Sequence, residues 1–122
     1  MEKYIPLGDL GVYQTAIKIG IKSWTIYERL DWHTKKIIGD QWIEATDSIG
    51  ANVAEGYGRF HYLDRIKFYY NSRGSLLETK HWLFLLKTSE IVTEKEFDEI
   101  FEELENFHRQ LNQFIKSSYP KK

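Results

Sequence analysis

Cysteine is absent from the sequence, and proline occurs only at Pro6 and Pro120. Without thiols the chain can form neither disulfides nor thiolate metal sites. Because both prolines lie near the ends, no proline interrupts a helix between them. No apolar run approaches the roughly 20 residues that a membrane helix needs, and no basic stretch followed by an apolar run marks a signal peptide. We therefore expect a cytoplasmic protein with no membrane contact.

A marked excess of either charge is also missing, since 17 Lys and Arg residues face 18 Asp and Glu residues. Dedicated nucleic-acid-binding proteins usually carry a basic excess, so any basic surface here must be local. Residues 61–92 hold five Lys or Arg against three Asp or Glu. The length of 122 residues predicts a single domain over residues 1–122, large enough to bury a core.

Apolar residues recur at three- and four-residue spacing in successive segments, which predicts helices at about residues 9–30, 34–57, 62–88 and 94–117. The connections between them are short, so the predicted fold is an all-α, up-down-up-down antiparallel four-helix bundle. Thr34 is the predicted N-cap of the second helix. Thr93 and Glu96 predict a capping box for the fourth helix.

Two helices carry more apolar surface than one buried face requires. The predicted face of the first helix consists of Tyr13, Ala16, Ile17, Gly20, Trp24 and Tyr27, with a flanking stripe of Val12, Ile19 and Ile26. Its wide apolar arc fits either a deeply buried helix or a second surface against another subunit. The third helix carries the stripes Leu63/Tyr70/Leu77/Phe84, Phe68/Ser75/Trp82 and Tyr69/Leu76/Leu83. The other helices are too few to cover all of these, so we predict a homo-oligomer.

The segment SIGANVAEGYGRF, residues 48–60, carries three glycines and two alanines. It lacks the Gly-Lys-Ser/Thr ending and the preceding strand of a phosphate-binding loop, and its spacing does not fit a dinucleotide fingerprint. We predict close helix packing at Gly50 and Ala54, and helix termination near Gly56 and Gly58, where a positive φ would cost little.

Polar side chains form a strip beside the core stripe of the second helix: Gln41, Ser48, Asn52, Glu55 and Arg59. Glu55 and Arg59 are spaced as an i,i+4 ion pair. In one interpretation the strip is a bundle-facing seam, in which Ser48 and Asn52 bond a neighbouring helix and Arg59 ties down the turn. In the other it contacts a ligand or partner. The seam is preferred, because polar groups beside an apolar stripe must be satisfied.

Signatures of an enzyme are missing. No two histidines form a His-x-x-x-His pair. The four histidines are His33, His61, His81 and His108. Ser48, Ser72 and Ser75 have no identifiable nucleophile-activating partners. We therefore predict a non-enzymatic protein without metal, cofactor or small-molecule substrate.

Aromatic and basic residues alternate around the start of the third helix. The aromatic residues are Tyr57, Phe60, Tyr62, Tyr69 and Tyr70, and the basic residues are Arg59, Arg65, Lys67 and Arg73. Such mixing is found where proteins stack nucleic-acid bases, although aromatics at helical spacing are usually core residues. The four basic residues are the candidate nucleic-acid contacts.

SIGANVAEGYGRF followed by RGSLLET resembles the 23S rRNA intervening-sequence protein family of bacterial four-helix bundles. The residues that match its first motif are Ser48, Ile49, Asn52, Val53, Ala54, Glu55, Gly56, Gly58 and Arg59. Those that match its second motif are Gly74, Ser75, Leu76 and Glu78. VYQTA, residues 12–16, resembles the family's opening helix, so the resemblance covers about residues 8–90.

The resemblance implies an up-down bundle, assembly into a closed pentameric ring and an association with genes inside ribosomal RNA intervening sequences. A related bundle that accompanies reverse transcriptases binds nucleic acid, which implies structured RNA or a nucleic-acid-associated protein as partner. This chain has Ile43 and Glu44 where a basic pair is common, Gly50 where proline is common and His61 in place of a cap serine. The missing basic pair and the balanced charge favour an alternative function, a protein–protein adaptor with no nucleic-acid role.

Overall fold

A computed structural model describes residues 4–121, and in this range the chain is helical apart from short connections. A 3₁₀ turn, Leu7–Asp9, precedes helix α1, Gly11–Glu28. Helix α2 is continuous and comprises an α-helical turn Trp32–Thr34, a π-helical stretch Lys35–Gly39 and an α-helix Asp40–Tyr57. Helix α3 is Tyr62–Thr88, and helix α4 is Glu94–Ser118. The predicted all-α four-helix fold is confirmed, and the helix ends lie within two residues of the predicted ones.

Each helix packs against the next one in the sequence, and α1 also packs against α4. Contacting residues run in opposite directions along every pair: Trp24–Asp47 and Tyr27–Asp40 between α1 and α2, Ile49–Ser72 and Gly56–Tyr69 between α2 and α3, Arg73–Asn112 and Lys80–Glu105 between α3 and α4, Lys18–Glu103 and Arg29–Glu96 between α1 and α4. These pairs describe an up-down-up-down bundle, since each partner's number falls as the other's rises.

The core lies along the bundle axis and is filled by large apolar side chains from all four helices. Those with no solvent exposure include Ile19, Trp42, Leu76, Leu83, Leu104 and Phe107. In α1 the flanking stripe of Val12, Ile19 and Ile26 is buried, whereas the predicted face is divided: Ala16 is buried, and Ile17 and Trp24 are exposed. Both stripes are apolar, and only the positions of α2 and α4 decide which one is covered.

Helix α2 begins two residues before its predicted start. The side chain of Asp31 accepts a hydrogen bond of 2.7 Å from the Thr34 backbone N–H, so Asp31 is the N-cap and the prediction of Thr34 is wrong. Hydrogen bonds from Thr34 also lower the pKa of the Asp31 carboxyl. An aspartate cap satisfies one of the free N–H groups of the first turn, which allows the helix to start at Trp32.

The predicted capping box of α4 is confirmed. Thr93 Oγ1 accepts from the Glu96 N–H at 3.1 Å, and Glu96 Oε1 accepts from the Thr93 N–H at 3.0 Å. The two terminal guanidinium nitrogens of Arg29, the C-cap of α1, donate to the carboxylate of Glu96, Nη1 to Oε2 and Nη2 to Oε1. A bidentate pair of this kind fixes the end of α1 against the start of α4.

The Arg29–Glu96 pair predicts a pH-dependent stability. Hydrogen bonds from Arg29, and secondarily from Thr93, hold the pKa of Glu96 at about 2, below the ordinary value of 4.5. Because the folded pKa is the lower one, this stabilisation is present above about pH 4.5 and is lost as the pH falls towards 2. Allowing for solvent screening of the half-exposed Arg29, we expect it to contribute about 1–2 kcal/mol.

The measurement is urea unfolding of wild type and Glu96→Gln at pH 7 and pH 2.5. Glutamine keeps the hydrogen bonds of the capping box but has no charge to pair with Arg29. We expect the variant to be less stable than wild type at pH 7, and the difference to be much smaller at pH 2.5, where only part of the stabilisation from Glu96 remains. An equal difference at both pH values would contradict the assignment.

Candidate functional site

The glycine-rich segment packs α2 closely against both neighbouring helices. A Cβ at Gly50 would lie 3.3 Å from the Ala16 Cβ on α1, which agrees with the predicted close packing. Helix termination was predicted near Gly56 and Gly58, and α2 ends at Tyr57 between them; Gly56 itself is buried inside α2 against Tyr69 of α3. Gly58 is the C-cap, with φ −77°, and no glycine in the described range has a positive φ. Glycine is therefore favoured at positions 50 and 56 because it has no Cβ, and not because the backbone there adopts a conformation that other residues avoid.

The polar strip of α2 does not bridge to another helix through Ser48 and Asn52. Ser48 Oγ donates to the Glu44 carbonyl at 2.9 Å, and Asn52 Nδ2 donates to the Ser48 carbonyl at 2.8 Å. Both partners lie one turn earlier in α2, so the seam interpretation is wrong for these two residues. Arg59 Nη2 donates to Glu55 Oε2 at 3.0 Å, as the i,i+4 spacing indicated.

The polar contact between α2 and α3 comes instead from Ser72, a residue to which the sequence assigned no partner. Its hydroxyl is fully buried and donates to the Ile49 carbonyl at 2.7 Å. Ser72 lies in the same heptad face as Tyr69 and Leu76, and a serine inside an apolar core face must bond to a nearby carbonyl. The place of Ser72 between Tyr69 and Leu76 was therefore the sequence feature from which a buried hydrogen bond could have been predicted.

The second motif lies on α3 and faces partly outward. Gly74 is exposed, with no atom within 4 Å of an added Cβ. The Ser75 carbonyl accepts from Thr79 Oγ1 at 2.8 Å, and exposed Glu78 accepts a 3.4 Å hydrogen bond from Trp82 Nε1. These hydrogen bonds of Ser75 and Glu78 stay within α3.

The four basic candidates are not gathered into one patch. Arg59 and Arg65 lie together at the α2–α3 turn, where Arg65 Nε donates to the Arg59 carbonyl. Arg73 is two turns further along α3 and donates to Asn112 of α4 at 3.0 Å. Lys67 is exposed on another side of the helix.

The arginine side chains also stack within the protomer. The Arg59 guanidinium lies 4.9 Å from the centre of the Phe68 ring, and that of Arg73 lies 4.7 Å from the centre of the Tyr70 ring. Such cation–π contacts hold the guanidinium planes against α3. The aromatic rings near the basic residues therefore serve in part to position the arginines.

A cavity of about 500 Å³ opens at the end of the bundle that carries the α2–α3 turn. Its lining includes Tyr57, Arg65, Tyr69, Phe114 and Lys121. Burial raises the pKa of the Tyr69 hydroxyl to about 12, so this tyrosine is neutral at physiological pH. Among the cavities described, this lining combines aromatic rings, on which bases can stack, with two cations, Arg65 and Lys121, which can pair with phosphates.

One apolar stripe of α3 remains uncovered. Leu63, Tyr70, Leu77 and Phe84, which we call the α3 stripe, are 42% to 58% exposed. The other two predicted stripes differ, since Tyr69, Leu76 and Leu83 are buried and Phe68, Ser75 and Trp82 are half-buried. Residues seven apart on a helix are separated by about 10 Å, so the stripe is a row of four large exposed apolar side chains, and exposed apolar surface of this kind is found at protein interfaces.

A second apolar surface lies between α1 and α2. This α1–α2 groove has a volume of about 630 Å³, a floor of small residues (Ala16, Gly20, Gly50, Ala51) and exposed walls that include Ile17, Ile21 and Trp24. Trp24 Nε1 donates to both carboxylate oxygens of Asp47, at 3.0 and 3.1 Å. The groove uses the predicted apolar face of α1, for which the sequence left burial in the bundle and contact with another subunit open.

Within residues 4–121, His, Asp and Glu side chains nowhere gather in threes as a metal site would require. None of the helices described is both long and apolar enough to span a bilayer. The surfaces described above are therefore the features on which a functional interpretation can be based.

These features define a four-helix bundle whose distinguishing surfaces are apolar and suited to protein contacts. The sequence model of the 23S rRNA-intervening sequence protein family matches residues 8–113, and the chain belongs to this family. The resemblance inferred from the two motifs is thereby confirmed. No curated protein matches the chain.

A solved structure shares the fold. It is a protein of unknown function from the S23 ribosomal protein family of Bacteroides thetaiotaomicron, with a TM-score of 0.79 and 23% sequence identity. The match covers 85% of this chain and 97% of that one. At this identity the likeness establishes the bundle architecture.

Proposed function

We propose that the protein is a non-enzymatic scaffold that assembles from several copies of itself through the α3 stripe. The observation that carries the proposal is the exposure of four large apolar side chains in one row of the longest helix. Exposing them to water is unfavourable, and covering them stabilises an assembly by roughly 25 cal/mol for each Å² buried. The ring of five copies implied by the family resemblance is the assembly we expect.

The test is the molar mass in solution, measured by light scattering during size-exclusion chromatography. We expect a mass of about five times the 14.6 kDa of one chain. A species that stays monomeric at micromolar concentration would contradict the proposal, since the α3 stripe would then remain exposed to solvent.

Structured RNA, or a protein bound to it, is the proposed partner of this scaffold. Support comes from the family, whose description refers to 23S rRNA, and from the end of the bundle where Arg59 and Arg65 lie beside the aromatic cavity. A partner derived from ribosomal RNA would place the protein in the cytoplasm.

Binding to 23S rRNA fragments across a salt series tests this partner. Each neutralised phosphate contributes roughly −0.7 to −0.9 to the slope of log K against log salt concentration. Arg59→Ala is expected to weaken binding and to reduce the slope by about one phosphate. Lys95→Ala removes the same charge at the opposite end of the bundle and serves as control. Equal effects of both substitutions would remove the bundle end as the contact site.

The alternative function is a protein–protein adaptor with no nucleic-acid role. Arg59, Arg65 and Arg73 all make contacts within the protomer, and the net charge of the chain is −1, both of which favour the adaptor. Absence of RNA binding even at low salt, combined with an intact oligomer, would select this function.

A further inference from the structure

We propose that the α3 stripe of one copy packs into the α1–α2 groove of a second copy, so that the subunits associate head to tail. This inference rests on the proposed self-association and adds which two surfaces meet. The occupant of the groove is thus a second copy of the same chain.

The two surfaces lie on opposite sides of the bundle. Arg73 and Lys80, which flank the α3 stripe, bond to Asn112 and Glu105 of α4, so the stripe lies on the side of α3 next to α4. The groove lies between α1 and α2, across the bundle. A twofold dimer joins the same patch of both subunits, whereas a contact between different patches generates a ring or a filament.

The shapes of the two surfaces match. The stripe follows seven-residue spacing, which gives a nearly straight ridge along a helix. At 1.5 Å per residue, the stripe from Leu63 to Phe84 is about 32 Å long and the groove from Tyr13 to Glu28 about 22 Å. The groove can therefore hold most of the ridge, and its glycine and alanine floor leaves room for large side chains.

Gly74 is the second observation that points to a close partner. It lies in the middle of α3 beside Tyr70 and Leu77, where glycine weakens a helix relative to alanine. No atom of the protomer comes within 4 Å of a Cβ added there, so the protomer gives no reason for a small residue. The approach of a helix from another copy provides that reason.

Charge favours the same pairing. The groove is lined by the carboxylates of Glu28 and Asp47 and by no Lys or Arg. Lys67, Arg73 and Lys80 lie within one turn of the α3 stripe, and of these Lys80 is paired with Glu105 of α4. Asp40 and Asp47 accept hydrogen bonds from the uncharged groups of Tyr27 and Trp24. Carboxylates in the groove that face basic side chains beside the stripe set both partner and orientation.

The absence of cysteine from the chain allows a direct test by cross-linking. His81→Cys labels the edge of the stripe, one turn from Leu77 and Phe84, and Ala51→Cys labels the groove; both positions are exposed. With a short flexible bismaleimide, we expect an equimolar mixture of the two variants to form covalent dimers, and each variant alone to stay uncross-linked. Glu102→Cys, on the outer side of α4, replaces Ala51→Cys in the control mixture and should give no dimer with His81→Cys.

The outcomes separate this inference from the proposed function. Cross-linking of His81→Cys with itself would show that stripe meets stripe. A mixture that fails to cross-link while light scattering finds an oligomer would show that something other than the stripe occupies the groove. Either result overturns the head-to-tail contact and leaves self-association standing. A protein that is monomeric throughout overturns both.

Filling the groove provides an independent variant. An added Cβ at Gly20 has only Asp47 Oδ1 nearby, at 3.9 Å, so Gly20→Leu should fold and project into the groove. We expect it to raise the dissociation constant of assembly at least about tenfold, since overpacking a well-fitted contact is unfavourable. Gly20→Ala, which adds one methyl group, should change it less. An unchanged dissociation constant for Gly20→Leu would exclude the groove from the interface.

Discussion

Replacing Gly56 with alanine is expected to destabilise the protein by about 3 kcal/mol, because a methyl group at this position overpacks the interface between α2 and α3. The added Cβ would lie 2.6 Å from Tyr69 Cε1, 2.9 Å from the Arg65 carbonyl oxygen and 3.0 Å from Phe68 Cβ. Tyr69 is fully buried, and the Arg65 carbonyl belongs to the α3 backbone, so neither can move aside without displacing α3. The gain in helix propensity, about 1 kcal/mol, is too small to compensate.

Urea unfolding followed by circular dichroism, at one fixed protein concentration, measures this effect. Gly58→Ala is the matched control two residues later. A Cβ at Gly58 would come no closer than 3.7 Å to carbonyls of its own helix, and its φ of −77° suits any residue. We expect that control to stay within about 0.5 kcal/mol of wild type. A Gly56→Ala protein as stable as the control would show that α2 and α3 are further apart than described.

Replacing Leu77 with glutamate is expected to dissociate the proposed oligomer while leaving the protomer folded. Leu77 is 56% exposed, so a glutamate there stays in water as long as the protomer is alone. Arg73 and Lys80, at i−4 and i+3, offer it favourable partners. In an assembly the same carboxylate would be buried among apolar groups, which costs several kcal/mol and corresponds to a loss of affinity of more than about 100-fold.

Light scattering and circular dichroism of the same sample distinguish dissociation from unfolding. Ile37→Glu is the matched control, since Ile37 is also 56% exposed but lies in the π-helical stretch of α2. We expect Leu77→Glu to give a folded monomer and Ile37→Glu to keep the mass of wild type. Dissociation by both substitutions, or by neither, would argue against the α3 stripe as the contact.

Helices α3 and α4 show which structural features can be predicted from the sequence alone. The capping box of Thr93 and Glu96 is a local pattern, and it fixed the start of α4. The three apolar stripes of α3 were visible as well, but their roles were not. Tyr69 and Tyr70 are neighbours with similar chemistry, yet the first is buried and the second is exposed. Which of them is covered depends on where α2 and α4 approach α3.

The candidate surfaces were predictable in part. The excess of apolar residues on α1 and α3 indicated an additional interface, but the sequence left open whether the wide apolar arc of α1 is buried in the bundle or faces another subunit. Ser72 could have been recognised as a buried donor from its place between Tyr69 and Leu76. The partner, the Ile49 carbonyl, could not, because it lies 23 residues away on another helix.

The sequence by itself determined the helices, their short connections and hence the bundle, because periodicity, capping and the lack of internal proline act over a few residues. Its two motifs also determined the family. Only the tertiary structure showed that Tyr69 packs against Gly56, and that Ser72 donates a hydrogen bond to the Ile49 carbonyl of α2. It also decided that the α3 stripe and the α1–α2 groove stay exposed in the protomer. The reason is that burial and close approach depend on the separation and rotation of packed helices, which no single helix encodes.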